Sequence, residues 1–241
     1  MVISSLLGLF AVLAASFIRK TVDKYEDVCV GVAIPTLLLL LLPFGVLSGH
    51  LRPATLDGAL RVLDKSLWLD GFALARFCFK AQWPCWILQP VYTTLPLAFA
   101  IAWIVTKSHT LLRACVIGAV LAFPLYLLVP AAGPGYAFPN WPQESLQMIQ
   151  PDTVYPRNCF PSLHMAWALL LALNMKGLWR WPFGIYSVLM SLATVAVGQH
   201  YFVDVIAAIP FTFAVQKLAL VASPITTQGE TKYESCKPVL L

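Results

Sequence analysis

Two histidines and one carboxylate, His164, His200 and Asp204, stand in a chain that is 59% hydrophobic and only 11% charged. Ionisable side chains set among apolar segments cost free energy unless they pair or meet water, so function is their default reading. His200 and Asp204 are four residues apart, which on a helix puts both side chains on one face. A carboxylate so placed holds one imidazole nitrogen protonated and leaves the other as a nucleophile or base. His164 closes the stretch Arg157-Asn158-Cys159-Phe160-Pro161-Ser162-Leu163 and opens the apolar run 165–171, which places it in the first turn of a helix. Such a helix start presents unpaired backbone donors and the positive end of a dipole, and an anion such as phosphate belongs there. Ser162 is expected to cap that helix or to donate its hydroxyl to the anion, and Leu163 stands beside it as a second contact. The chemistry this set suits is phosphoryl transfer.

Composition sets the surroundings of these residues. Soluble domains run near 25% charged, so 11% with a mean hydropathy of +0.77 indicates an integral membrane protein. One transmembrane catalytic domain over 1–220, followed by a polar tail over 221–241, is the simplest division. The net charge of +5 is scattered and not striped, which argues against a nucleic-acid partner. The six cysteines show no metal-like spacing and are expected as small apolar residues. A His-x-x-x-Asp pair with one distant His could ligate zinc, but no further motif of that kind accompanies it, so neither a metal nor another cofactor is expected. Trp83, Trp86, Trp141, Trp179 and Trp181 fall near expected span ends and read as interface anchors.

The elements that must position the site read as all-α: a polytopic membrane bundle of about six to seven transmembrane helices plus one interfacial amphipathic helix. Spans are expected at 3–18, 28–48, 83–105, 110–129, from Ser162 or Leu163 to about 176, at 183–200 and at 202–220. Within 49–81, Leu56, Leu60, Leu63 and Leu67 follow the three-and-four spacing of an amphipathic helix; it is either an interfacial segment shaping a lipid entrance or a solvated connector. Residues 130–162 hold nine prolines and glycines between Pro130 and Pro161 that exclude a continuous helix, and because this loop delivers His164 it is expected to be functional. Its Gly133-Pro134-Gly135-Tyr136 is a plain turn or a substrate-contacting one.

Seven spans with the amino terminus outside put most Lys and Arg residues inside and leave Arg157 as the one cation of the outer 130–162 loop. The 49–81 segment, with Arg52, Arg61, Lys65, Arg76 and Lys80, is the exception. The same topology brings His164 and His200 to one membrane level, on the extracytoplasmic face of a plasma, inner or internal membrane. Cys159 in that loop and Cys85 near the outer end of the third span could then pair as a disulfide in an oxidising compartment, with Cys78 as the competing partner.

Phe160-Pro161-Ser162-Leu163-His164 and His200-Tyr201-Phe202-Val203-Asp204 resemble the second and third signature motifs of the type 2 phosphatidic acid phosphatase superfamily. The pairing of Pro-Ser-Leu-His with His-Tyr-Phe-x-Asp looks most like the branch containing inositol phosphorylceramide synthase and, more distantly, sphingomyelin synthase. The resemblance implies that His200 attacks phosphorus to form a phosphohistidine, that Asp204 orients it, and that His164 protonates the departing oxygen. The family's first motif, a Lys followed seven residues later by Arg-Pro, is incomplete: Arg52-Pro53 is the Arg-Pro, and Gly45 stands where the Lys would be. Ala193 and Thr194 stand where the third motif has Ser-Arg. Arg157 is the candidate replacement for the missing phosphate-binding cations, and Tyr136 and Tyr201 are candidate substrate contacts. The implied partners are a lipid phosphate or phospholipid, a lipid or alcohol acceptor, and the bilayer. Three functions follow: lipid phosphotransferase, lipid phosphate or pyrophosphate phosphatase, and a non-catalytic membrane binding or scaffold protein.

Overall fold

The structure is a computed structural model and describes residue 43, residues 45–143 and residues 147–222. The expected span 3–18, nearly all of 28–48 and nearly all of the polar tail lie outside the described residues. After a helical stretch at 45–51, the chain forms α1 (Asp57–Ser66), α2 (Gly71–Ala81), α3 (Trp83–Thr93), α4 (Leu95–Thr106) and α5 (His109–Leu128). The short α6 (Pro134–Ala137) follows, then α7 (Leu163–Asn174), a 3-10 turn (Gly177–Trp179), α8 (Arg180–Ala196) and α9 (Phe202–Val221). The described residues contain helices and no strands.

Two of these helices, α5 and α9, are each long and apolar enough to cross a membrane. The pair α3 and α4 makes a third candidate if taken as one span, bent by 58° at its break. The expected third span is therefore broken. Pro90 lies inside α3 and Pro96 sits at the start of α4, and a proline ring can neither donate to the preceding turn nor fit beside its carbonyl. The expected fifth span is the 12-residue α7 and the sixth is the 17-residue α8, so the described residues carry two to three candidate spans and not the larger number expected.

α7 is the axis of the bundle. Met165, Ala166, Trp167, Ala168, Leu170, Leu171 and Ala172 are all buried, and a helix apolar all round must be covered all round. It packs on α8, α9 and α5, and Trp167 meets Phe99 of α4 edge to face at 5.6 Å. Hydrogen bonds add polar ties between helices: Ser187 Oγ donates to the Ala168 carbonyl at 2.7 Å, and Asn174 Nδ2 donates to Gln216 Oε1 at 3.0 Å at the end of α7 away from His164.

The amphipathic helix predicted in 49–81 is present as α1, but with the opposite face inward. Asp57, Leu60, Arg61 and Asp64 are buried, whereas Leu56, Leu63 and Leu67 are exposed and Trp68 just beyond them is 96% exposed. The inward carboxylates are fully engaged. Asp57 accepts from the Ala132 N–H (3.0 Å), the Gly133 N–H (2.9 Å) and the Tyr201 hydroxyl (2.9 Å). Asp64 accepts from the Phe202 and Val203 N–H groups, both at 2.9 Å, and so caps α9 from another helix. Gly133 has φ +101°, and a Cβ there would come within 2.5 Å of the Gln199 carbonyl oxygen. Only glycine admits the loop's close approach to the His200 turn.

Candidate active site

α7 and α9 begin at the same end of the bundle, and the turn between α8 and α9 joins them. The Thr194 carbonyl accepts from both the Gln199 and His200 N–H groups (3.1 and 3.2 Å), and the Ser162 N–H donates to the Asp204 carbonyl at 3.2 Å. These bonds fix the two signature stretches against each other. The rings of His164 and His200 lie 6.0 Å apart, inclined at 62°.

His200 is 5% exposed. Its Nδ1 lies 2.9 Å from the Cys159 carbonyl oxygen and 3.6 Å from Asp204 Oδ2. A carbonyl only accepts, so Nδ1 carries the proton and the neutral ring presents Nε2 as its lone-pair nitrogen. The sequence assigns that tautomer to Asp204 alone. In the structure the nearer partner is the Cys159 main chain, and Asp204 Oδ2 is shared among the Tyr201 N–H (2.7 Å), the Cys159 thiol (2.8 Å) and the longer His200 contact. Burial, and then the Asp204 charge, push the Cys159 thiol well above its ordinary pKa, so it stays a neutral donor. Cys159 thus belongs to the candidate site, where sequence reasoning considered its side chain only for a disulfide. The expected disulfide is corrected by the same geometry: Cys78, Cys85 and Cys159 are all unpaired thiols. Cys159, His200 and Asp204 offer ligand atoms within 4.8 Å of one another, a spacing a metal ion could bridge, and in the structure hydrogen bonds connect them.

His164 stacks on Tyr92 of α3, ring centroids 4.3 Å apart and planes within 23°, and its Nε2 is buried with no hydrogen-bond partner among the described residues. Ser162 caps α7, accepting from the Met165 N–H at 3.3 Å. Helix geometry leaves the Leu163 and His164 N–H groups without intrahelical acceptors. The equivalent donors of α9 are already taken by Asp64 and Asp204, which leaves the start of α7 as the better anion seat.

Arg157 is placed differently from the expectation. It is fully buried, and its guanidinium donates to five backbone carbonyls: Arg52 (3.3 Å), Asp152 (3.2 Å), Tyr155 (2.9 Å), Pro53 (3.0 Å) and Pro151 (2.8 Å). A proline-rich loop has carbonyls without ladder partners, and this side chain satisfies them. With five donors engaged it has none left for phosphate. The first-motif positions reach the same place: Gly45 packs against Pro156 and Asn158, while Arg52 and Pro53 supply two of the five carbonyls. Tyr201 is also corrected from substrate contact to internal tie, being 2% exposed with its hydroxyl on Asp57. Tyr136 sits in α6 against Tyr155, ring centroids 4.9 Å apart, and its hydroxyl accepts from Gln199 Nε2 at 3.4 Å.

Of the expected interface anchors, Trp83, Trp86, Trp179 and Trp181 are exposed, whereas Trp141 packs on Phe79 at 5.4 Å. The inward stripe Asp57, Arg61 and Asp64 was also missed, although its three-and-four spacing is as regular as that of the leucines one position before it. A family model described as the PAP2 superfamily matches residues 58–218. No curated protein and no solved structure matches the chain.

Proposed function

The chain belongs to the PAP2 superfamily, and from that membership we propose that it moves a phosphorylated headgroup from one lipid to another acceptor through a phosphohistidine on His200. Phosphatase or phosphotransferase chemistry on a phosphate-bearing substrate, in a membrane protein, is what the family and the apolar helices support. The finer reading is a multi-pass enzyme of six to seven spans, its site on the extracytoplasmic face, of the inositol phosphorylceramide synthase type. Gly45, Ala193 and Thr194, standing where the phosphatase motifs carry basic and hydroxyl residues, favour transfer over hydrolysis.

One observation carries the reading: His200 Nδ1 is held by the Cys159 carbonyl, so Nε2 is the available nitrogen, and the His164 ring lies 6.0 Å away. The Nε2 lone pair attacks phosphorus, the bond from phosphorus to the leaving oxygen breaks, and protonated His164 gives its proton to that oxygen. Asp204 balances the charge that develops on the His200 ring. Neutral His164 then takes the proton of the acceptor hydroxyl, whose oxygen displaces His200 from phosphorus. Ser162 and Leu163, at the start of α7, hold the phosphoryl oxygens.

The test is acid-labile, base-stable phosphate on the protein after brief incubation with labelled phospholipid, with products followed by mass spectrometry. His200→Ala should carry no phosphate, and His164→Ala should accumulate it, losing roughly 10²–10⁴-fold in turnover. Asp204→Asn should lose less than a triad aspartate, whose removal costs about 10⁴, because the Cys159 carbonyl still fixes the tautomer. A new phosphorylated lipid marks transfer; inorganic phosphate alone marks a phosphatase. Phosphate trapped on His200→Ala overturns the mechanism.

A further inference from the structure

A charged acceptor makes the shorter and stronger hydrogen bond, so a histidine beside a buried carboxylate takes it as first partner. At His200 the order is reversed: Nδ1 lies 2.9 Å from the Cys159 carbonyl oxygen and 3.6 Å from Asp204 Oδ2. The reason lies on Oδ2. That oxygen already accepts from the Tyr201 N–H at 2.7 Å and from the Cys159 thiol at 2.8 Å, which fills the two lone pairs of one carboxylate oxygen. The thiol has a single proton and a second acceptor in reach, the Gln199 carbonyl at 3.1 Å. Asp204 is both nearer and charged, so it takes the bond. The unused acceptor of the carboxylate is Oδ1, buried with no hydrogen-bond partner among the described residues. Cys159 therefore holds the imidazole with its main chain and the carboxylate with its side chain.

We propose that the Cys159 thiol is a positioning residue: by occupying Oδ2 it holds Asp204 off the imidazole and keeps His200 Nδ1 on the carbonyl. The inference deepens the phosphoryl-transfer reading above and rests on it for its effect on rate. Asp204 then acts on the ring by its charge across 3.6 Å and not by a bond. Release of the carboxylate to the ring would re-aim Nε2. It would also favour the imidazolium, which has no lone pair to attack with. The other titratable groups about the ring are His164 of α7, with ring centroids 6.0 Å apart, and Arg61, Asp64, Lys65 and Asp70, which line the same cleft as His200. Tyr201 lines it too, with Asp57 behind its hydroxyl. None of these is altered by a change at Cys159.

The experiment compares Cys159→Ala, which deletes the donor and keeps the carbonyl, with Cys159→Ser, which keeps both. Its first readout is the Nδ1–H resonance of His200 in the full chain in detergent, with isotope-labelled histidine, assigned by its loss in His200→Gln. In Cys159→Ala the resonance should move downfield as the proton passes from a carbonyl to a carboxylate; in Cys159→Ser it should stay. With a short-chain phospholipid as probe, Cys159→Ala should lose roughly tenfold in kcat at unchanged KM, short of the roughly 10²-fold that a 1 Å misplacement costs. The acidic limb of its pH profile should move to higher pH, and Cys159→Ser should restore both. A further measurement needs no change at Cys159: the infrared S–H stretch lowered by the bond to Asp204 should rise in Asp204→Asn. An unmoved resonance or pH profile in Cys159→Ala, an equal shift in Cys159→Ser, or S–H bands unchanged in Asp204→Asn overturns the proposal. A moved resonance in a chain that never forms phosphohistidine removes the reaction and leaves the positioning.

Discussion

At the scale of single residues, Arg157 illustrates how a lone charge expected at a ligand can be engaged by the surrounding main chain. Its isolation among the residues of the 130–162 loop made it the natural phosphate ligand, yet carbonyls of that loop and of Arg52 and Pro53 take all five of its donors. Arg157→Ala should therefore unfold the loop before it weakens substrate binding. The expected loss is at least about 3 kcal/mol, from several buried charge-assisted bonds and the carbonyls left unpaired, and Arg157→Lys should recover little because an ammonium cannot serve five diverging acceptors. Thermal melts in detergent measure this, and an unchanged Tm would return the residue to the phosphate. His164, His200 and Asp204 were legible because ionisable groups are scarce in this chain. Cys159 was not, since nothing in a cysteine's neighbours in sequence reveals that its carbonyl and thiol will both face an imidazole–carboxylate pair.

At the scale of elements, periodicity shows that a segment is amphipathic but not which face packs. In water the leucines of α1 would be inside; in an apolar surround the stripe of Asp57, Arg61 and Asp64 is inside because its partners are there. Burial pushes the Asp64 carboxyl up to about 6. A carboxyl raised on folding binds its proton more tightly in the folded state, so its contribution to stability is complete below the unfolded value near 4 and is lost as pH rises through 6. Thermal melts between pH 4 and 7 should show that decline, and Asp64→Asn should flatten it. A slope unchanged in Asp64→Asn would place the titration elsewhere. The break after α3 was legible only in part: Pro90 and Pro96 were visible, but a proline in a membrane helix is often tolerated, and the 58° bend depends on neighbours. Its product is the Tyr92 ring on His164. Tyr92→Phe should keep activity, whereas Tyr92→Leu should lower kcat about tenfold, leave KM unchanged and shift the limb of the pH profile set by His164. An unmoved profile would reduce Tyr92 to packing.

At the scale of the whole molecule, composition alone carried the class. The long apolar runs of α5 and α9 are recovered at nearly the predicted bounds, because an uninterrupted apolar stretch of that length has little else to become. α7 was predicted longer than it is; its polar end at Asn174 bonds to Gln216 and Ser108, interactions between helices that a hydropathy window cannot register. The orientation is open to a direct check. With native cysteines replaced, a cysteine in place of the exposed Asn140 should react with an impermeant thiol reagent on intact cells, and reaction only after permeabilisation would invert the topology.

The inverted face of α1 also bears on how the protein is made. Asp57 waits for Ala132 and Gly133, 75 and 76 residues downstream, and for Tyr201, 144 residues downstream; Asp64 waits for Phe202 and Val203, 138 and 139 residues on. A chain leaving the ribosome therefore completes α1 long before anything exists to receive its polar side. Until α9 is synthesised, Asp64 has only water or lipid headgroups to satisfy it. A nascent chain stopped before residue 201 should hold α1 by Asp57 alone and leave its Asp64 end open to protease, and one extended through α9 should close over that end in a late step.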